Sequence, residues 1–190
     1  MTGYSTRRTA AVLFDRDGTL VVDVPFNGDP ERVVSMPTAH RALGLLRAAG
    51  ISTGVITNQS GVALGLVTSA AVAAVNSRID RLLGPFGVWE VCPHRALDRC
   101  SCRKPRPGMI LRAAERLNIA PTDVAVIGDI GSDVAAARAA GARGILVPTP
   151  ATRAAEIRDA EEVATTLLAA VTLLLADAQN PDSPLEASAR

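Results

Sequence analysis

Short apolar runs at residues 11–14, 52–56, 88–91, 124–127 and 144–147 alternate with longer helical stretches at 38–49, 69–83, 107–117 and 132–140. Apolar runs of four or five residues without polar alternation suit strands buried on both faces. Each helical stretch ends close to a breaker, at Gly50, Gly84, Asn118 or Gly141. This repetition predicts an α/β fold with a doubly wound, mainly parallel, Rossmann-like sheet covered on both faces. A closing helix is expected over 161–177, with Val163, Leu167, Val171, Leu174 and Leu175 on its core face, followed by a frayed tail over 178–190. A chain of 190 residues then suits one domain, spanning 1–177.

Composition removes several function classes. Twenty Lys and Arg against nineteen Asp and Glu leave a net charge of +1, and the aromatics are only Tyr4, Phe14, Phe26, Phe86 and Trp89. Neither the charge needed to grip a phosphate backbone nor the rings needed to stack bases are present. The apolar stretch after Arg7-Arg8 is too short for an export segment and runs into Asp15. The late apolar run 163–176, interrupted by Thr165, Thr166 and Thr172, falls short of the roughly 20 residues of a membrane span. The expectation is a cytoplasmic monomer that binds neither nucleic acid nor membrane.

In parallel sheets ligands bind outside the carboxyl ends of the strands. Asp15-Arg16-Asp17-Gly18-Thr19 follows the first run, Thr57-Asn58-Gln59-Ser60-Gly61 the second, and a cysteine cluster with Arg103-Lys104-Pro105 the third. Gly128-Asp129-Ile130-Gly131-Ser132-Asp133 follows the fourth. One carboxylate at a strand end is commonly a cap. Four matched sets in chain order converge carboxylates, a hydroxyl, an amide and a cation on one rim.

Over residues 11–148 this ordered set resembles the haloacid-dehalogenase-like (HAD-like) phosphohydrolases. The resemblance implies that Asp15 is a carboxylate nucleophile taking the phosphoryl group. It implies that Asp17 protonates the leaving oxygen and later deprotonates the attacking water. Two residues along a strand return a side chain to the same side, which accounts for the Asp15/Asp17 spacing, and Gly18 lets the chain turn away. Asp129, the Asp15 carboxylate and the Asp17 backbone carbonyl are expected to hold Mg²⁺. Lys104, Thr57 and the Asn58 backbone are expected to meet the transferring phosphoryl group. Asp133 is left open between support for the metal's water shell, orientation of Lys104, and an ordinary helix-start carboxylate.

All three cysteines and one of the two histidines fall in the pattern Cys92-x-His94-x5-Cys100-x-Cys102. Four such ligands suit tetrahedral zinc with no open position, a structural site over 92–102 that would pre-position Arg103 and Lys104. His40, isolated at the start of a helical pattern, reads as a surface residue. The metal loop narrows the resemblance to the compact subgroup of heptose-bisphosphate and histidinol-phosphate phosphatases. Only 19 residues separate Thr19 from the first long helix, too few for an inserted cap domain. On the heptose alternative a small phosphorylated sugar is the substrate. Arg103 would recognise its far end, Asn58, Gln59 and Ser60 would line the site, and the 23–26 loop with Asp23 and Phe26 would line the sugar pocket. Leu64 and Ile130 depart from cations frequent in that subgroup. Receiver domains also carry an acceptor aspartate with Thr and Lys nearby, but place their acidic pair first and the acceptor later, the reverse of the order here.

Overall fold

The computed structural model describes residues 9–179. Five strands form one wholly parallel sheet: β1 (Ala11–Phe14), β2 (Ser52–Asn58), β3 (Val88–Cys92), β4 (Val124–Gly128) and β5 (Arg143–Leu146), in the order β3-β2-β1-β4-β5. The helices are α1 (Ala39–Ala48), α2 (Ser69–Leu83), α3 (Gly108–Leu117), α4 (Gly131–Ala140), α5 (Ala154–Asp159) and α6 (Leu167–Gln179). The chain steps outward from β1 to β3, then crosses back to β4 on the other side of β1. That reversal is the topological switch point, where a crevice opens above the strand ends.

Strand alternation divides the core. Val12 and Phe14 face a cluster with Leu43 and Leu46 of α1, Val75 and Ile79 of α2, and Val171 and Leu174 of α6. Leu13 and Val126 face the opposite cluster, with Met109 and Ile110 of α3 and Ala136 and Ala137 of α4. The central strand β1 is wholly buried, which is why it reads as an unbroken apolar run. Edge strand β3 alternates buried and half-buried positions. Residues 15–38 hold only a one-turn helix, Pro30–Arg32, and isolated bridges, so no cap domain is inserted there.

β2, β3 and β4 run further than the apolar runs suggested. Thr57 and Asn58 still pair with Val91 and Cys92 inside the sheet, so the polar residues start before the ladder ends. The expected helix over 161–177 is corrected at its start. Its first residues lie extended beside β5, where Leu146 N–H donates to Glu162 O (2.9 Å) and Ala164 N–H to Leu146 O (2.8 Å). The β-branched Val163, Thr165 and Thr166 favour that strand-like path, and the Thr166 hydroxyl accepts from Ala169 N–H (3.1 Å), a side-chain cap that starts α6. Val163 is consequently exposed rather than on a core face, while Leu167, Val171 and Leu174 are buried as expected. The first two residues of the tail expected from 178 are helical, because α6 continues to Gln179. Its remainder, 180–190, and Arg7-Arg8 lie outside the described residues. The short α5 carries too little apolar pattern to announce itself. No described helix is long and apolar enough to cross a membrane.

Gly54 sits where β2 meets both neighbours: a Cβ there would lie 2.4 Å from Val88 Cγ1 and 2.8 Å from Leu13 Cδ2. Gly54→Ala is therefore expected to overpack the sheet and cost about 2 kcal/mol. Urea unfolding measures it, and an unchanged midpoint would contradict the packing.

Candidate active site

The switch point places Asp15 at the end of β1 beside Asp129 at the end of β4, and β2 brings Thr57 alongside. These residues border a cavity of about 390 Å³. Every residue expected to touch substrate lines it: Asp23, Phe26, Asn58, Gln59, Ser60 and Arg103. Asp23 and Phe26 are exposed on its outer wall. Of the two departures noted in the sequence, Ile130 lines the cavity, whereas Leu64 is exposed and not part of its wall. His40 is exposed on α1, as expected.

Lys104 is the buried cation of the site. Its Nζ lies 2.8 Å from Asp15 Oδ1 and 2.6 Å from Asp133 Oδ1, and it donates to Ile56 O (3.1 Å). Burial by itself favours the neutral amine, but the carboxylates of Asp133 and Asp15 outweigh it and raise the Lys104 pKa above the ordinary lysine value. The Asn58 side chain fixes the lysine's backbone, accepting from Lys104 N–H (3.1 Å) and donating to Lys104 O (3.2 Å). Of the roles left open for Asp133, contact with Lys104 is the one present. It is fully buried at the start of α4, where its Oδ2 also accepts from Ile130 N–H (3.2 Å). Burial, opposed by Lys104, pushes the Asp133 carboxyl up to about 6.

Asp17 does not lie on β1, which ends at Phe14, so strand alternation by itself does not place it. Asp15 N–H extends the ladder by one bond to Ile127 O (2.9 Å), and Gly18 then turns the chain with φ +79°. A Cβ at Gly18 would lie 2.3 Å from Asp129 Oδ2, so glycine serves both the turn and the close approach. The Asp17 carboxylate lines the cavity and accepts from Gln59 Nε2 (2.8 Å), which also donates to the Thr57 hydroxyl (2.9 Å). Gln59 thus ties Asp17 to Thr57 through Nε2 while lining the cavity. Burial raises the Asp17 pKa, with Arg16 opposing.

Carboxylate oxygens of Asp15, Asp129 and Asp133 lie within 4.8 Å of one another. Burial first, then the Asp15 and Asp133 carboxylates, pushes Asp129 up to about 7, with Lys104 opposing. Hard oxygens in this arrangement fit Mg²⁺. Thr19 and Thr149 hydroxyls approach Asp129 Oδ1 and Oδ2 at 3.4 and 3.5 Å, and Thr152 donates to its backbone carbonyl (2.6 Å). Thr149 and Thr152 were missed in the sequence. Inspection of the fifth strand end, by the rule applied to the other four, finds them.

The second donor cluster holds Cys92, His94, Cys100 and Cys102. Thiolates about 2.3 Å from a tetrahedral zinc stand about 3.8 Å from one another, with imidazole edges slightly shorter. Two observed edges agree, Cys92 Sγ–Cys100 Sγ at 3.7 Å and Cys92 Sγ–His94 Nδ1 at 3.6 Å, while the two to Cys102 Sγ are shorter, 3.2 Å from His94 Nδ1 and 3.1 Å from Cys92 Sγ. No pair is at bonding distance, and the three thiols are free. Burial and then the Cys102 contact push Cys92 up to about 12. At Cys100 burial is the largest single influence, but the Arg103 N–H and the neighbouring thiols together outweigh it and bring it down to about 7. Arg103 leaves this loop tied to it, donating from Nη1 to His94 O (3.2 Å).

The HAD-hydrolase-like family matches residues 101–173. The D-glycero-β-D-manno-heptose-1,7-bisphosphate 7-phosphatase of Rhodopseudomonas palustris is 41% identical over 155 residues, 76% of this chain and 86% of that protein. The enzyme of the same name from Mesorhizobium japonicum is 35% identical over 180 residues, 86% of this chain and 83% of that protein. A crystal structure of D,D-heptose 1,7-bisphosphate phosphatase from B. bronchiseptica, complexed with magnesium and phosphate, superposes with a TM-score of 0.80 at 31% identity, covering 88% of this chain and 99% of that one. Sheet order, the Asp15–Lys104–Asp129 arrangement and these likenesses describe a HAD-like phosphohydrolase. Within that class the chain belongs to the D-glycero-D-manno-heptose-1,7-bisphosphate 7-phosphatase family.

Asp133→Ala removes one buried partner of Lys104 and the acceptor for Ile130 N–H, and is expected to cost about 3 kcal/mol. Chemical denaturation measures the loss; wild-type stability in the variant would refute the pairing.

Proposed function

We propose that this chain is a Mg²⁺-dependent phosphatase that removes the 7-phosphate of D-glycero-β-D-manno-heptose 1,7-bisphosphate through a phosphoaspartyl intermediate on Asp15. The observation that carries this reading is the Asp15 carboxylate at the switch point, 2.8 Å from a buried Lys104 and on the wall of a cavity shared with Asp17 and Asp129. Relatives bearing that phosphatase name align over most of both chains.

In the first displacement an Asp15 oxygen attacks phosphorus as the ester P–O bond breaks, and Asp17 gives its proton to the departing sugar oxygen. In the second, water attacks the phosphoaspartate, Asp17 takes the water's proton, and phosphate leaves with Asp15 restored. Lys104 and the Thr57 hydroxyl, with the Asn58 backbone, face the phosphoryl oxygens, and their preorganised positions stabilise charge that develops in transfer. Asp15, Asp129 and the Asp17 backbone carbonyl would hold Mg²⁺, which when bound offsets the mutual repulsion of carboxylates and phosphate. Asp133 orients Lys104. Arg103 is assigned to the substrate's second phosphate, with Asp23, Phe26 and Ser60 beside the sugar. Gln59, whose amide is committed to Asp17 and Thr57, is assigned to holding those two groups rather than the sugar. Cys92, His94, Cys100 and Cys102 would hold a structural Zn²⁺ that clamps both ends of the loop leading into Arg103 and Lys104.

Asp15→Asn is expected to reduce turnover to background, and Asp17→Asn to slow breakdown of the phosphoenzyme by about 10²–10⁴-fold. Acid quench of Asp17→Asn during turnover followed by peptide mass spectrometry should find the phosphoryl group on Asp15, and wild-type turnover in ¹⁸O-water should place the solvent oxygen in the released phosphate, because water attacks phosphorus. A side chain that never carries phosphate would end the nucleophile assignment, and preference for histidinol phosphate over the heptose ester would end the substrate assignment. About one zinc per chain is expected after chelator-free purification, by the four-donor count. Cys102→Ser should lose the zinc and lower the melting temperature before activity is lost. Elemental analysis that finds none in the wild type would remove the zinc loop.

A further inference from the structure

Arg16 is the largest wholly buried side chain of the described residues, 1% exposed, yet it carries a charge. Burying a guanidinium costs several kcal/mol unless its donors are met. Its donors go to two places. Nε lies 3.1 and 3.0 Å from the two Asp17 carboxylate oxygens and Nη2 lies 2.9 Å from Oδ2, while Nη1 donates to Asn76 Oδ1 at 2.9 Å. Asn76 sits on α2, which is seated in the core by Val72, Val75 and Ile79 and capped by Thr68 Oγ1 accepting from Ala71 N–H. A continuous path therefore runs from a rigid helix through a planar fork to the Asp17 carboxylate. A planar fork fixes both the distance and the plane of its carboxylate partner, which a lysine ammonium cannot do.

We propose that Arg16, braced by Asn76, is a positioning residue that holds the Asp17 carboxyl at the angle from which it serves the departing sugar oxygen. This rests on the assignment of Asp17 as proton donor in the reading above. Charge neutralisation is a separate matter, since a lysine would supply it equally. Orientation is what the fork adds. The consequence is selective: an alkoxide leaving group depends on proton delivery, whereas p-nitrophenolate leaves without it. Loss of Asp17 orientation must therefore show on the sugar ester and spare the aryl ester.

The test compares kcat/KM, which reports the step that breaks the ester bond, on heptose 1,7-bisphosphate and on p-nitrophenyl phosphate, for Arg16→Lys and Asn76→Ala. Arg16→Lys is expected to lose at least about tenfold more activity on the sugar ester than on the aryl ester, within the range general acids contribute. Asn76→Ala should shift the ratio in the same direction by less. In an Asp17→Asn background neither substitution should change the ratio further, because the group they position no longer holds the proton. Parallel losses on both esters, unchanged activity on both, or a selective loss that persists with Asp17→Asn would overturn the proposal. If Arg16→Lys does not fold, Asn76→Ala decides it by the same ratio. A wild type inert towards the heptose ester would strike the substrate reading instead, and the same contrast on whichever alkyl phosphate it hydrolyses still decides Arg16.

Discussion

The site depends on one buried ion pair system: Lys104 between Asp15 and Asp133. Three aspartates at the ends of β1 and β4 and the start of α4 cannot remain ionised together in a buried crevice without positive charge. Burial first, and then like charge nearby, raises the Asp129 and Asp133 pKa values. Lys104 opposes both shifts and ties three chain segments that are remote in sequence. A lysine so placed is a fixture rather than a mobile arm, held at its ammonium by two carboxylates and the Ile56 carbonyl, and at its backbone by Asn58.

Each flank of this cation is fixed by a different device. On the β3 side, the Cys92–Cys102 loop has few apolar residues to seat it, and its four donors converge within 4.8 Å of one another instead. Arg103 ties back to the same loop through His94 O. On the β1 side, the Asp17 carboxylate is held by Arg16 and Gln59, and Gln59 also holds Thr57. Groups that must stay fixed relative to one another are thus anchored to the sheet, the loop and α2 together, and preorganisation of this kind keeps donors in place without reorganisation during transfer.

Much of this was legible from local pattern. The unbroken apolar runs identified all five strands because a parallel sheet buries both faces, and polar sets at their ends marked the rim of the site. Boundaries were less legible where chemistry intrudes on the ladder: Thr57, Asn58 and Cys92 are polar or metal-binding in type yet hydrogen-bonded inside strands. The segment before α6 misled because Val163 fits helical spacing, while its true partner, Leu146, lies on another strand. Gln59 follows a strand end and reads as a cavity residue, and only the folded structure reveals that its Nε2 also links Asp17 to Thr57.

The residues themselves determined the fold class, the identity of the four converging strand ends and the zinc-type donor set, since these follow from periodicity, order and side-chain chemistry along the chain. The three-dimensional arrangement decided which groups touch. That Asp133 pairs with Lys104, that Thr149 and Thr152 serve Asp129, and that a buried arginine braces Asp17 against α2 are contacts between segments brought together by the parallel sheet and the helices packed on it. Sequence spacing carries the direction of a side chain within one element. It carries no distance between elements, because that distance is set by how the sheet and its two helical layers pack.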